Sequence, residues 1–157
     1  MDIHDRLLEF ETLTALTTTR ILTDWIDLQA SGLSQGRVIS APNRQLWMIL
    51  AIGTTFTAAG AATLTLTVET DDATSFASSP VVLATSSAIP VASMTAGRDH
   101  IVLAIPNNVA CKKYLGVRAT VATGPFTAGV IGKCWLGLEP TYAKFYNDFV
   151  IPYGQTS

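Results

Sequence analysis

A reaction site needs titratable or nucleophilic groups that converge, and this 157-residue chain offers few of them. Its two histidines are His4, near the start, and His100, which follows Asp99 and leads into the apolar run Ile101-Val102-Leu103. A metal-binding cupin site would gather several histidines and carboxylates inside a barrel. One histidine at a strand entry reads instead as an outward-facing strand residue. Asp71 and Asp72 are adjacent, which would suit calcium, since hard cations take clustered carboxylate oxygens. They close the run Thr63 to Thr70 and lead into Ala73-Thr74-Ser75-Phe76, so the expected role is a turn held by Asp side-chain hydrogen bonds. Asp24 and Asp27 flank Trp25 and Ile26 and point to opposite faces of an extended chain, which makes no catalytic dyad. Cys111 and Cys134 have neither C-x-x-C spacing nor a nearby histidine. Two buried, reduced thiols are expected, with a disulfide left open by the sequence. Walker and G-x-G-x-x-G motifs are absent. The expectation is a protein with no catalytic residue, no cofactor and no bound metal.

Composition narrows the partners. Charged residues make up 14% of the chain against roughly 25% in average soluble domains, and Ala and Thr fill their places. So few surface charges suit a protein that covers part of its surface in an assembly. The net charge of -2 leaves no basic footprint for nucleic acid, and Lys112-Lys113 reads as a solvated turn. The start, MDIHDRLLEF, carries two Asp and no apolar h-region, so no secretory signal is expected. Residues between Arg44 and Glu69 are uncharged over a length that could cross a bilayer at about 20 residues. Yet Thr63 to Val68 alternates with a period of two, and Gly53 and Gly60 interrupt the stretch. The second uncharged stretch, Ala73 to Gly97, holds Pro80 and Pro90. No membrane contact is expected.

The elements that must position these residues are strands. Leu64, Leu66 and Val68 form an inward row opposite Thr63, Thr65 and Thr67, and Ile101, Leu103 and Ile105 form another. Leu115, Val117, Ala119 and Val121 alternate with Tyr114, Gly116, Arg118 and Thr120. Leu46 to Ile52 is apolar on both faces, and Val130 to Leu138 is a further run. Shorter ones lie at Ile21 to Leu28, Arg37 to Ser40, Val81 to Ala84 and Val91 to Met94. About eight or nine short strands between Gly, Pro, Asn, Asp and Ser turns predict an all-β sandwich. Eight strands in two antiparallel sheets suit a jelly roll, with an immunoglobulin-like sandwich as the nearest competitor.

The organisation expected is an N-terminal arm at 1–20, the jelly roll at 21–139 and an aromatic-rich C-terminal arm at 140–157. The arms carry Leu7, Leu8 and Phe10 at one end and Tyr142, Phe145, Tyr146, Phe149 and Tyr153 at the other. Aromatics are enriched in interface cores, so these eight residues are the candidate partner contacts. Within the sandwich, Phe-Thr-Ala followed closely by Gly occurs twice, at Phe56 to Gly60 and Phe126 to Gly129. Neither copy has a phosphate-loop spacing or a following Lys. The expected role is a structural corner, with Phe filling the end of the core and Gly60 or Gly129 allowing a bulge or a positive φ.

The run FTAAGAATLTLTVETDDATSFASSPVVLATSSAIPVASMTAG, Phe56 to Gly97, resembles the jelly-roll capsid cement (decoration) proteins of tailed bacteriophages. KYLGVRATVATGPFTAGVI, Lys113 to Ile131, is similar to a later strand and corner of that family, and Ile26 to Leu28 also fits. Gly116 and Arg118 depart from its pattern, as does the segment Tyr142 to Tyr153. The resemblance implies a non-enzymatic protein, made in the host bacterial cytoplasm, that sits on the outer surface of a virion. Its partners would be the major capsid protein of the shell and further copies of itself, as a dimer or trimer. A carbohydrate-binding or host-recognition sandwich of a phage virion is the competing expectation, discriminated by sugar binding and calcium-dependent melting.

Overall fold

The computed structural model describes residues 6–28, 38–39, 45–98, 100–107 and 109–138. In chain order its strands are β1 (Glu9–Ala15), β2 (Arg20–Ile21), β3 (Ile26–Asp27), β4 (Val38–Ile39), β5 (Leu46–Ala58), β6 (Thr63–Asp71), β7 (Val81–Thr85), β8 (Ile89–Pro90), β9 (Ile101–Ile105), β10 (Val109–Ala110), β11 (Tyr114–Ala122) and β12 (Phe126–Gly137). Period-two patterning produces them. In β6, Leu64, Leu66 and Val68 are fully buried while Thr63, Thr65 and Thr67 are half-buried on the reverse. β11 pairs with β6 without a slip, from Tyr114 opposite Asp71 to Ala122 opposite Thr63. Leu115, Val117 and Ala119 therefore join the same inner face.

Every pairing among the described residues is antiparallel. One sheet has the order β1-β12-β5-β9; the other has β2-β11-β6-β7, with β3 also on β11 and β8 also on β6. β4 and β10 form a separate two-stranded ribbon. Counting β2 with β3 and β7 with β8 as interrupted strands leaves eight principal strands, in the orders first-eighth-third-sixth and second-seventh-fourth-fifth. Two interleaved Greek keys of this kind make a jelly roll. The immunoglobulin arrangement, with its ABED and CFG sheets, is excluded. Phe10, Leu16, Met48, Leu50, Leu66, Met94, Ile105 and Ile131 fill the space between the sheets. Leu103 and Val121, expected inside, are half-buried against that core.

Several expectations are corrected. The N-terminal arm is in large part a strand: β1 is the edge of the first sheet, and Phe10 and Leu16 are buried. Their alternation was too short and too crowded with Thr and Glu to read as a strand alone. Val91 to Met94 is not a strand, because Val91–Ser93 turns as a 3-10 helix after Pro90. Ile21 to Leu28 divides into β2 and β3, and Trp25 lies between them, 43% exposed, rather than within a strand. Gly53 does not interrupt β5. A Cβ there would stand 2.8 Å from the Cα of Gly132 on β12, so the two glycines let adjacent backbones close up.

Candidate interaction surface

The two Phe-Thr-Ala copies meet. Phe56, near the end of β5, and Phe126, at the start of β12, are 3% and 2% exposed, with ring centroids 5.0 Å apart in an edge-to-face pair. Gly129 makes room for them: its φ is +149°, and a Cβ would fall 2.2 Å from Cδ1 of Phe56. The β12–β5 register slips repeatedly between Phe126 and Lys133, as a bulged corner requires. Gly60 has no such role; its φ is not positive, and nothing lies within 4 Å of where its Cβ would be. The first copy also closes a strand, whereas the second opens one.

Gly116 and Arg118 share a function in the fold. On the outer face of the second sheet, the segment after Asp71 folds back so that the Phe76 ring lies over Gly116, where a Cβ would come within 2.5 Å of Cζ. Phe76 is 1% exposed and adopts φ +50°, a left-handed conformation unusual for an aromatic residue. Arg118 holds it there. Its Nη2 donates to the Phe76 carbonyl at 2.8 Å and to Glu69 Oε2 at 2.9 Å, while Nε reaches Glu69 Oε1 at 2.9 Å. Thr67 Oγ1 donates to the same carboxylate at 2.8 Å. Asp71 accepts from the Asp72 N–H at 2.7 Å, Asp72 accepts from the Lys113 N–H at 3.3 Å, and Lys112 Nζ lies 3.6 Å from Asp71. Burial alone would raise the Asp71 pKa, but the N–H donors of Asp72 and Ser79 and the nearby Lys112 hold it below the usual range. These carboxylates form a turn, as expected from their position.

A second set of charges ties down β1. Glu9 pairs with Lys133 at 2.6 Å, and buried Glu11 pairs with Arg20 at 2.7 Å and accepts from the Thr23 N–H at 3.2 Å. Burial would raise the Glu11 pKa; hydrogen bonds from Thr14, Thr23 and Arg20, with the Arg20 charge, hold it below its ordinary value. Burial, and the Glu11 carboxylate beside it, push the Cys134 thiol far up, so it stays protonated. Cys111, half-buried, points its thiol at the Val109 carbonyl at 3.4 Å. His100 is half-buried, its ring edge-on to Trp135 with centroids 5.5 Å apart. Among the described residues, no three His, Cys, Asp or Glu side chains gather as metal ligands.

The candidate contacts separate. Leu7 is 79% exposed and Leu8 half-buried, but Phe10 is fully buried and contacts its own core, which removes it as a partner residue. Tyr142, Phe145, Tyr146, Phe149, Tyr153 and His4 lie outside the described residues. Exposed large apolar side chains that sequence reasoning did not single out are Leu13, Trp25 and Leu138, and also Val81, Val82 and Val102. The last three stand on β7 and β9, edge strands that touch each other across the two sheets. The signal for Val81 and Val82 in the sequence is the absence of any charge from Ala73 to Gly97.

Residues 10–133 match the Bbp16 family, from Phe10 in β1 to Lys133 in β12. The chain belongs to the Bbp16 family. This family is phage-associated, and the matched span runs through most of the jelly roll, from Phe10 in β1 to Lys133, four residues short of the end of β12. The aromatic segment after Pro140 lies beyond the match. No curated protein matches the chain.

Proposed function

We propose that this protein is a non-enzymatic virion component that binds the outer surface of the major capsid protein shell as a homo-oligomer. There it clamps neighbouring capsid subunits against the pressure of packaged DNA. The observation that carries this reading is the match to a phage-associated family over residues 10–133, most of the jelly roll. The placement of the charges supports it: Glu69, Asp71, Glu11 and Arg118 are committed to ion pairs and turns that hold the fold. Co-sedimentation of the purified chain with empty shells tests it. Saturable binding to shells, with a raised temperature of shell disruption, is the expected result; absence of binding to shells of the phage that encodes it would sink the reading. One observation favours a second reading, a carbohydrate-binding module: Trp25 offers an exposed aromatic face outside the strands. Micromolar sugar binding that Trp25→Ala abolishes would establish that reading instead.

A further inference from the structure

The two open sides of the sandwich are finished differently. Along β1, the chain covers its own edge: the Asp24 N–H donates to the Phe10 carbonyl at 2.9 Å, and Arg20 Nη2 donates to the Ala15 carbonyl at 3.3 Å. The ion pairs of Glu9 and Glu11 lie on the same side. On the other side, β7 pairs with β6, and among the described residues no strand pairs along its outer edge. Its sequence, Val81-Val82-Leu83-Ala84-Thr85, has no charge, and neither does β9, Ile101–Ile105, which it touches. Val81, Val82 and Val102 are 47%, 51% and 41% exposed, so both edge strands show apolar side chains to solvent. Native sheets usually blunt an exposed edge with Lys, an inward-pointing charge or a bulge. β7 carries no charge; Pro80 precedes it, and its pairing with β6 slips once, passing over Leu83, so the edge has a bulge but no charged guard.

From this edge we infer that β7 is a self-association strand, which pairs antiparallel with β7 of a second copy about a twofold axis. The result is one continuous sheet from the second sheet of each copy. A second copy is the occupant that the chemistry favours. An edge with unpaired N–H and C=O groups takes an extended backbone, and a rim free of charge takes an uncharged one. A twofold axis at Leu83 would set β7 against itself with Val82 opposite Ala84 and Val81 opposite Thr85, so no equal charges are opposed. Five residues are a short seam, so the association is reversible and depends on concentration. This names the surface of the homo-oligomer in the function proposed above. Its readout needs no shell, so its failure and a failure of shell binding are told apart.

The test uses the full chain in solution. Sedimentation velocity over a range of concentrations gives the mass, and hydrogen exchange read by mass spectrometry follows the amides of Val81 to Thr85. A monomer–dimer equilibrium is expected, with protection of these amides rising as dimer forms. Val82→Lys should weaken dimerisation about tenfold or more by putting a cation into the uncharged seam from each copy, with melting unchanged. Thr85→Lys, at the exposed end of β7, serves if the first variant melts early, and Leu13→Lys on the β1 side should leave association as it was. The inference is overturned by a monomer at every concentration. It is equally overturned by a dimer that ignores both β7 lysines, or by β7 amides protected to the same degree in the monomer, which would mean that the chain covers this edge itself.

Discussion

Gly129 and Phe56 share one volume, and that is where a residue-scale account is most exposed to test. An alanine at 129 would need both a positive φ and the space of the Phe56 ring. Gly129→Ala should therefore destabilise by about 2–4 kcal/mol in denaturant melts, from strain and overpacking together. Gly60→Ala, where the Cβ meets open space, should stay within about 0.5 kcal/mol. Phe126→Ala should cost about 3–5 kcal/mol, the usual loss for a buried Phe, and less than about 1 kcal/mol would mean that the ring is not packed as described. Glu11 sets a pH dependence. Its folded pKa lies below the ordinary 4.5, so its contribution is present above pH 4.5 and is lost as pH falls through the folded value. Replacing it with Gln should flatten the acid limb of a stability–pH curve below pH 4.5; an unchanged limb would place the acid-sensitive group elsewhere.

Among the elements, the segment 72–80 depends on residues far away in sequence. It has little regular structure, and what holds it is the Phe76 ring over Gly116 and the Phe76 carbonyl on Arg118, both on β11. Arg118→Met removes the guanidinium and leaves the Glu69 carboxylate buried without its ion pair. The cost should be about 2–3 kcal/mol, below the 3–5 of a fully buried pair because Arg118 keeps 28% side-chain exposure. Gly116→Ala should displace the Phe76 ring without touching the ion pair. Both variants should speed proteolysis and amide exchange between Ala73 and Ser79 while β6 and β11 stay protected. If exchange in that segment is unchanged in both, some other contact holds it.

For the whole molecule, truncation separates fold from assembly. Removing residues 1–18 deletes β1 with Phe10 and Leu16, so the jelly roll loses an edge strand and two core side chains and should fail to fold, rather than shed a dispensable arm. Removing 140–157, beyond both the last strand of the described residues and the family match, should leave a folded sandwich. On the proposed function that form loses affinity for shells, since five of the chain's aromatic residues go with it. Unchanged shell binding would put the contact surface on the sandwich itself.

The β core was legible because its signal is local. Alternation in Thr63 to Val68 and Ile101 to Ile105 dictates which face is buried whatever lies opposite, and the turn role of Asp71-Asp72 follows from a carboxylate reaching its neighbour's N–H. What needed the third dimension was every property set by a partner distant in the chain. Phe10 is buried because β12 and the residues around Asp24 close over β1. Gly129, and not Gly60, bears the corner because Phe56 comes to rest against it from another strand. Arg118, which reads as an odd charge in an apolar strand, is explained by Glu69 across the ladder and by a turn 42 residues away. Local patterning decides which faces must be hidden; only tertiary packing decides which residues hide them.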